Sequence, residues 1–504
     1  MTTHLRTPTR RDLGAAALLL SAALLASCSA SASVAKPSSS AGTASPSSSA
    51  STQTAQRPAA PPGGISGQSG QGPGGAPPGG GTTGQSGQGP GGGAPPGRGT
   101  STGLASSATA AYTQNGGSAT KTGQSYTAGE ADESAIRVTN AGALSLTDPT
   151  VTTSGASSSS DNSSFYGLDA GILADGGSSL TISGGTVATS GDGANGVFAT
   201  GSGTSITISG LTITATGQYA HGVMATNAAK MNVTDATIST SGASSAPIAT
   251  DRGGGTITVT GGTFRSSGGN SPGVYSTGDI TISDATITAT GAEGAVIEGA
   301  NSITLTNSSL TGQVNRGVMI YQSMSGDASG TQGTFTMTGG SLTATSGPLF
   351  YATNSSGVIT LKDVTLRAAS GTLLDASAGN WGTSGSNGGT AKLTADGQTL
   401  TGNVVADSIS SASLTLQNSS SLTGAINTDH TAKSATLTLD ASSRWTVTAD
   451  SYLTNLTDAA GISGSTVSNI VGNGHTVYYD PSVATQFGGK TYTLAGGGYL
   501  KPEA

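Results

Sequence analysis

Apolar residues in this chain return at fixed intervals too long for any helix. Leu180, Ile206, Met231, Ile257, Ile280, Ile303, Phe335 and Ile359 form one column, at steps of 26, 25, 26, 23, 23, 32 and 24 residues. Val187, Ile213, Ile238, Phe264, Ile287, Leu310, Leu342 and Leu366 repeat the same steps. A third set, Ile172, Val197, Val223, Ile248, Val274, Val296, Val318 and Leu349, keeps nearly the same rhythm. Within each stretch the apolar positions alternate with Ser and Thr, as in Thr-Ile-Ser at 181–183, 207–209 and 281–283. Period-two alternation predicts strands with one face inward. Three short strands per 22–26 residues predict one coil of a β-solenoid.

Turn residues punctuate the strands at Ser190-Gly-Asp-Gly193, Gly253-Gly-Gly255 and Gly268-Gly-Asn270. Helical periodicity is absent after the first 27 residues. The expected fold is all-β: a parallel solenoid over 108–458, of about twelve coils between Ser134 and Asp458, with a rod of about 55–60 Å. Residues 459–504 change rhythm and gain Tyr478, Tyr479, Phe487, Tyr492 and Tyr499, which predicts a segment capping the last coil.

Composition changes the picture at the N-terminus. Residues 1–27 have a basic start, an apolar run from Leu13 to Ala26 and small residues before Cys28. That is an export signal, too short and wrongly flanked for a membrane span. Residues 28–107 are built of Ser, Ala, Pro, Gly, Gln and Thr, and Gly67–Gly79 recurs at 84–97 with one extra Gly. Such a segment cannot bury apolar surface and reads as a disordered tether spanning about 45–50 Å root-mean-square. The net charge is −7; Arg6, Arg10, Arg11 and Asp12 sum to +2, so removing the leader leaves −9. No basic patch stands out, which argues against nucleic-acid binding. One cysteine precludes an intramolecular disulfide.

Leu25-Ala26-Ser27-Cys28 resembles the lipobox of bacterial lipoproteins. The resemblance implies cleavage before Cys28, a diacylglyceryl group on its sulfur and membrane attachment through the lipid. Thr9-Arg10-Arg11-Asp12-Leu13 resembles a twin-arginine signal in part, since Gly14 follows; Sec and twin-arginine export both stay open. The stretch Leu437 to Leu456 is similar to the C-terminal coils of autotransporter passenger domains and of bacterial adhesin-like surface proteins. Ser163-Ser-Phe-Tyr-Gly167, Thr250-Asp-Arg-Gly-Gly-Gly255, Ser271-Pro-Gly-Val-Tyr-Ser276 and Gly472-Asn-Gly-His-Thr-Val-Tyr-Tyr479 extend the similarity over about 112–500. It implies a right-handed parallel β-helix of the pectin-lyase type. An autotransporter would continue into a membrane barrel of alternating strands. None is seen up to Ala504, so another export route is expected.

Many such helices cleave polysaccharides, yet the residues give little support for an enzyme. Asn427-Thr428-Asp429 and His221-Gly222 occur in the wrong order for a polygalacturonase-like site, and no Asp-Asp pair or Arg-Ile-Lys is present. Asn427–His430 reads as a turn and His221 as exposed. Asp251 and Glu298 fall two coils apart, about 10 Å, and Asp375 about 15 Å further, too far to share an ion. Glu293 and Glu298 read as a solvated pair. No catalytic residue, metal or cofactor is assigned.

Two coils carry insertions at one corner: Tyr321 to Gly333 and Ala376 to Gly389. Insertions on one face of a solenoid often build its binding surface. Aromatic rings beside amides and carboxylates suit sugars, which offer an apolar face and hydroxyls. The candidate ligand residues are Tyr321, Gln322, Asp327, Tyr351, Trp381 and Asn387. The alternative is that Trp381 and Tyr321 fold inward to cover the corner. Thr212-Ile-Thr214, Thr237-Ile-Ser239 and Thr286-Ile-Thr288 also give a flat face resembling ice-binding solenoids, interrupted by Ala188, Arg265 and Arg367. Threonine is a plain strand former as well. The expected function is a lipid-anchored, surface-exposed, adhesin-like protein binding a glycan or another surface polymer. A carbohydrate-active enzyme and a structural spacer are the alternatives.

Replacing Cys28 with Ala is expected to move the protein from the membrane fraction to the medium or periplasm. Retention on membranes after a carbonate wash would contradict the lipobox reading.

Overall fold

The structure, a computed structural model, describes residues 108–503. The signal segment, Cys28 and the tether lie outside the described residues. Each coil contributes one strand to each of three parallel sheets, as in Val197–Thr200, Ser205–Ser209 and Thr212–Ala215. The three sheets contain twelve, fourteen and ten strands, and a nine-stranded sheet takes over from the third toward the C-terminus. Thirteen of the fourteen second-sheet strands lie between Ser134 and Asp458, one more than the about twelve coils expected there, and Ser118–Thr122 adds one before them.

The first two apolar columns are found in register. Leu180 pairs with Ile206, Ile206 with Met231, and so on to Ile359. Val187 through Leu366 pair likewise. Both columns point into one continuous core, where Ile206, Ile257 and Phe335 are fully buried. The third column needs correction at two places. Val274 and Val318 both pair with Ala295, not Val296, and Val318 pairs with Phe350, not Leu349.

Two backbone constraints explain the Gly, Asp and Asn spacing. The turn from second to third sheet has a left-handed residue in coil after coil: Gly184, Gly210, Asp235, Gly261, Asp284, Asn307, Gly339 and Asp363. Only Gly, Asp and Asn adopt that conformation readily. At the opposite corner, Gly191, Gly217, Gly242 and Gly268 stack so closely that a Cβ on each would run into the preceding glycine's carbonyl oxygen. A larger residue there would push two coils apart.

Besides two short 3-10 turns at Ala459–Gly461 and Thr485–Phe487, one element departs from the β pattern. Residues Ser160–Tyr166 form a seven-residue helix, α1. Its N-cap Ser159 accepts a bond from the Asn162 N–H, and left-handed Gly167 ends it. Two turns are too few to show a helical period, so the sequence pattern misses it. At the other end, Tyr479, Phe487 and Tyr492 are buried against one another, with ring centroids 5.0 and 5.8 Å apart. Tyr492–Ala495 and Tyr499–Pro502 pair antiparallel, so the last strands fold back on each other. Asn427–His430 is a turn, closed by the Asn427 side chain accepting from Thr431 and Ala432 N–H groups.

An Ile257→Asp substitution would place a charge among fully buried neighbours. It is expected to lower stability by about 4 kcal/mol or more in chemical denaturation. Parent-like stability would contradict the column register.

Candidate functional site

The outer face of the first sheet carries the features that distinguish this rod. Strand alternation would normally leave that face in water. Here the outward row Leu173, Phe198, Met224, Ala249, Tyr275, Val296, Met319 and Tyr351 runs in register from coil to coil. These residues form a second apolar cluster, separate from the interior core, and all are buried. Burying each large side chain contributes about 1.5–3 kcal/mol, so the face must be covered.

Helix α1 covers one end. Gly167 at its end lies against Phe198 and Leu173. The Phe165 carbonyl accepts from Thr226 Oγ1 at 2.8 Å and Asn227 Nδ2 at 3.0 Å. The two insertions, 322–331 and 377–389, emerge at the other end. Arg252 connects the covers: its guanidinium lies 3.7 Å from the centroid of the Phe165 ring and reaches Asp327 Oδ1 at 2.8 Å.

Under the first insertion lies a polar network. Glu298 is fully buried. Its Oε2 accepts from the hydroxyls of Tyr275 and Tyr321, both at 2.7 Å, and its Oε1 accepts from Ser323 Oγ. Asp251, also buried, accepts from the Arg252 N–H at 2.7 Å. Burial, reinforced by the Asp327 charge, pushes the Asp251 carboxyl well above the usual carboxylate range. Burial also pushes up the Tyr275 hydroxyl, with Tyr321 and Glu298 adding to it, and the Tyr321 hydroxyl, with Glu298 adding to it. Because Arg252 is 42% exposed, its pair with Asp327 is a rim interaction worth about 1 kcal/mol or less. By itself, that ion pair latches the insertion only weakly.

The structure places each candidate ligand residue. Tyr321 ends its strand rather than lying in a loop, and its ring sits 4.9 Å from that of Trp381. Gln322 is buried and donates to the carbonyls of Ala328 and Gly330, stapling its own loop. Asn387 does the same in the second loop through Gly379 O. Tyr351 is buried beneath Arg316, whose guanidinium lies 4.1 Å from the ring centroid. Asp327 is buried in its ion pair. Of the six, Trp381 alone keeps partial exposure. The geometry thus brings Tyr321 and Trp381 together and turns Gln322, Asp327 and Asn387 to loop structure.

Two expectations are overturned. His221 is buried, not exposed; its Nδ1 accepts from the Ala246 N–H at 3.0 Å, and burial depresses its pKa to about 4. Glu293 and Glu298 are not a solvated pair: both are fully buried, and Glu293 is bound by Arg316 at 2.9 Å. Sequence reasoning missed Arg252, Tyr275 and Ser323. The signal available was a carboxylate, Glu298, at an outward strand position where other coils carry Thr200 and Thr226. Among the described residues, no three His, Cys, Asp or Glu side chains are placed to hold a metal ion.

A further opening lies where the third sheet ends. A cleft of about 460 Å³ is lined by Val364, Leu366, Gln398 and Thr399 among others. Leu366 is only partly buried there, whereas its column partner Leu342 is fully buried. The Gln398 amide plugs part of the gap, bonding both the N–H and the C=O of Val364 at 2.7 Å.

The architecture is that of a right-handed parallel β-helix, and the family model described as "Right handed beta helix region" matches residues 134–332. Among solved structures, the chain is similar to one in the cryo-EM structure of the Vag8–C1 inhibitor complex. The identity is 14%, over 69% of this chain and 99% of that chain, with a TM-score of 0.32. No curated protein matches the chain.

Asp169, just beyond α1, gives a pH test of this face. Burial, with Asp132 and Glu133 adding repulsion, raises its pKa from 3.8 to about 7. A raised carboxyl pKa favours the folded state at acid pH, and that benefit is lost as pH climbs from about 4 to 7. Asp169→Asn should therefore stabilise the protein by about 2 kcal/mol at pH 8 and little at pH 4. Thermal midpoints at the two pH values check this; an equal gain at both would contradict it.

Proposed function

We propose that this protein is exported, anchored through a lipid on Cys28, and displayed on its tether as a cell-surface β-helix that binds a glycan or another surface polymer without cleaving it. The observation that carries the reading is Trp381: a partly exposed indole, braced from beneath by Tyr321, at the corner where both insertions emerge. A braced ring with a free portion suits stacking on a sugar. Met324, 63% exposed in the first insertion, adds apolar surface on the same pair of loops. Binding is favoured over catalysis because Glu298 and Asp327 are engaged in holding the loops, with their oxygens bonded to Tyr275, Tyr321, Ser323, Arg252 and Ser325.

A glycan array probed with the exported chain, paired with a depolymerisation assay on each bound polymer, tests the proposal. Trp381→Ala is expected to weaken binding by about 1–3 kcal/mol while circular dichroism stays unchanged. Tyr321→Phe should weaken it less, since the ring that braces Trp381 remains. Unchanged affinity for Trp381→Ala would remove the corner from the binding surface. Release of shorter chains would replace binding by catalysis, and an array without any bound glycan or polymer would favour a spacer.

A further inference from the structure

The insertion 322–331 rests on a site with more negative than positive charge. Three carboxylates meet its underside: Asp251 after the strand Ile248–Thr250, Glu298 at the end of Ala295–Glu298, and Asp327 within the insertion itself. Each is at least nine-tenths buried. Arg252 is the guanidinium that bonds Asp327 here. The remaining titratable groups facing Asp251 are the hydroxyls of Tyr275 and Tyr321, which stay neutral and donate to Glu298. With all three carboxylates ionised, the buried site would carry a net charge of −2. Burial makes such an excess unfavourable, so one carboxyl group must hold a proton for the insertion to stay seated.

Hydrogen bonding identifies which one. Glu298 accepts from two tyrosines and Ser323, and Asp327 from Arg252 and Ser325, all of which favour the anion. Asp251 accepts from one backbone N–H, that of Arg252. We propose that segment 322–331 is an acid-closed strap. It lies shut while the Asp251 carboxyl group holds a proton, and it lifts from the first-sheet face once Asp251, Glu298 and Asp327 are all ionised. Lifting the strap breaks the Arg252–Asp327 and Ser323–Glu298 contacts and uncovers the Glu298 site with its two tyrosine hydroxyls. The strap is a property of the fold and stands whether or not the rod binds a glycan.

The direction of the pH effect follows from the raised Asp251 pKa. The closed form binds the proton more tightly than the open one, whose carboxyl titrates near 3.8. Closure is therefore strongest below about pH 4 and declines as pH rises through the raised value.

Acrylamide quenching of tryptophan fluorescence between pH 4 and pH 9 tests the strap on the full chain. Trp381 packs on Tyr321 beside it, while the other tryptophan, Trp445, is fully buried and bonded to Gly424 O. The quenching constant of the native chain should rise roughly threefold with pH, as a local opening admits the quencher. Asp251→Asn should hold the low value throughout, and Arg252→Gln, which removes the guanidinium facing Asp327, should move the rise to lower pH. Trp381→Phe should abolish the pH dependence, assigning it to this site. A flat profile for the native chain overturns the proposal even if no variant folds. So does an Asp251→Asn profile that rises as the native one does.

Discussion

Everything in this molecule depends on coils stacking in register at about 4.8 Å. Each coil buries its inner residues only by laying them on the equivalents above and below, as Ile257 lies between Met231 and Ile280. A shift of one residue would turn the inner Ile and Leu outward and the Thr inward. The backbone enforces the register independently of the side chains. Left-handed Asp235, Gly261 and Asp284 fix one turn, and the stack Gly191–Gly217–Gly242–Gly268 admits no side chain at another.

A solenoid with one buried face per sheet needs nothing further. This one departs from that plan on the outside of its first sheet, where Phe198, Met224, Tyr275 and Met319 replace the hydroxyl residues found on the second. Apolar burial there required covers, supplied by α1 and the two insertions. Those covers brought charged groups into a poorly hydrated place. Glu293 and Asp327 are each paired with an arginine and Glu298 accepts from two tyrosines and Ser323, whereas Asp251 and Asp169 have their pKa values raised. The face is thus stable through its packing and pH-sensitive through its carboxylates.

The fold was legible because repetition averages out local ambiguity. The Leu180 and Val187 columns could be read directly from alternation with Ser and Thr. The first sheet was harder: with both faces buried, Val296 and Leu349 look as eligible as Ala295 and Phe350, and period two disappears. The site was less legible still. Tyr321 and Trp381 were marked as a pair at one corner and do meet, but whether they face water or protein depends on contacts the sequence does not display. Arg252 bonds Asp327 across 75 residues, and His221 is buried by its neighbouring coil. Neither residue carries a local signal of its partner.

The register can be measured directly by disulfide trapping on the outer face of the second sheet, in a chain with Cys28→Ser. Thr258 and Thr281 are directly opposite, whereas Ser283 lies two register pairs away, opposite Thr260. Opposed positions about 4.8 Å apart fall within the Cα range a disulfide spans, and a two-residue offset of about 8 Å falls outside it. Mild oxidation should cross-link Thr258→Cys with Thr281→Cys and leave Thr258→Cys with Ser283→Cys as free thiols. The reverse pattern would contradict the stacking from which the whole account is built.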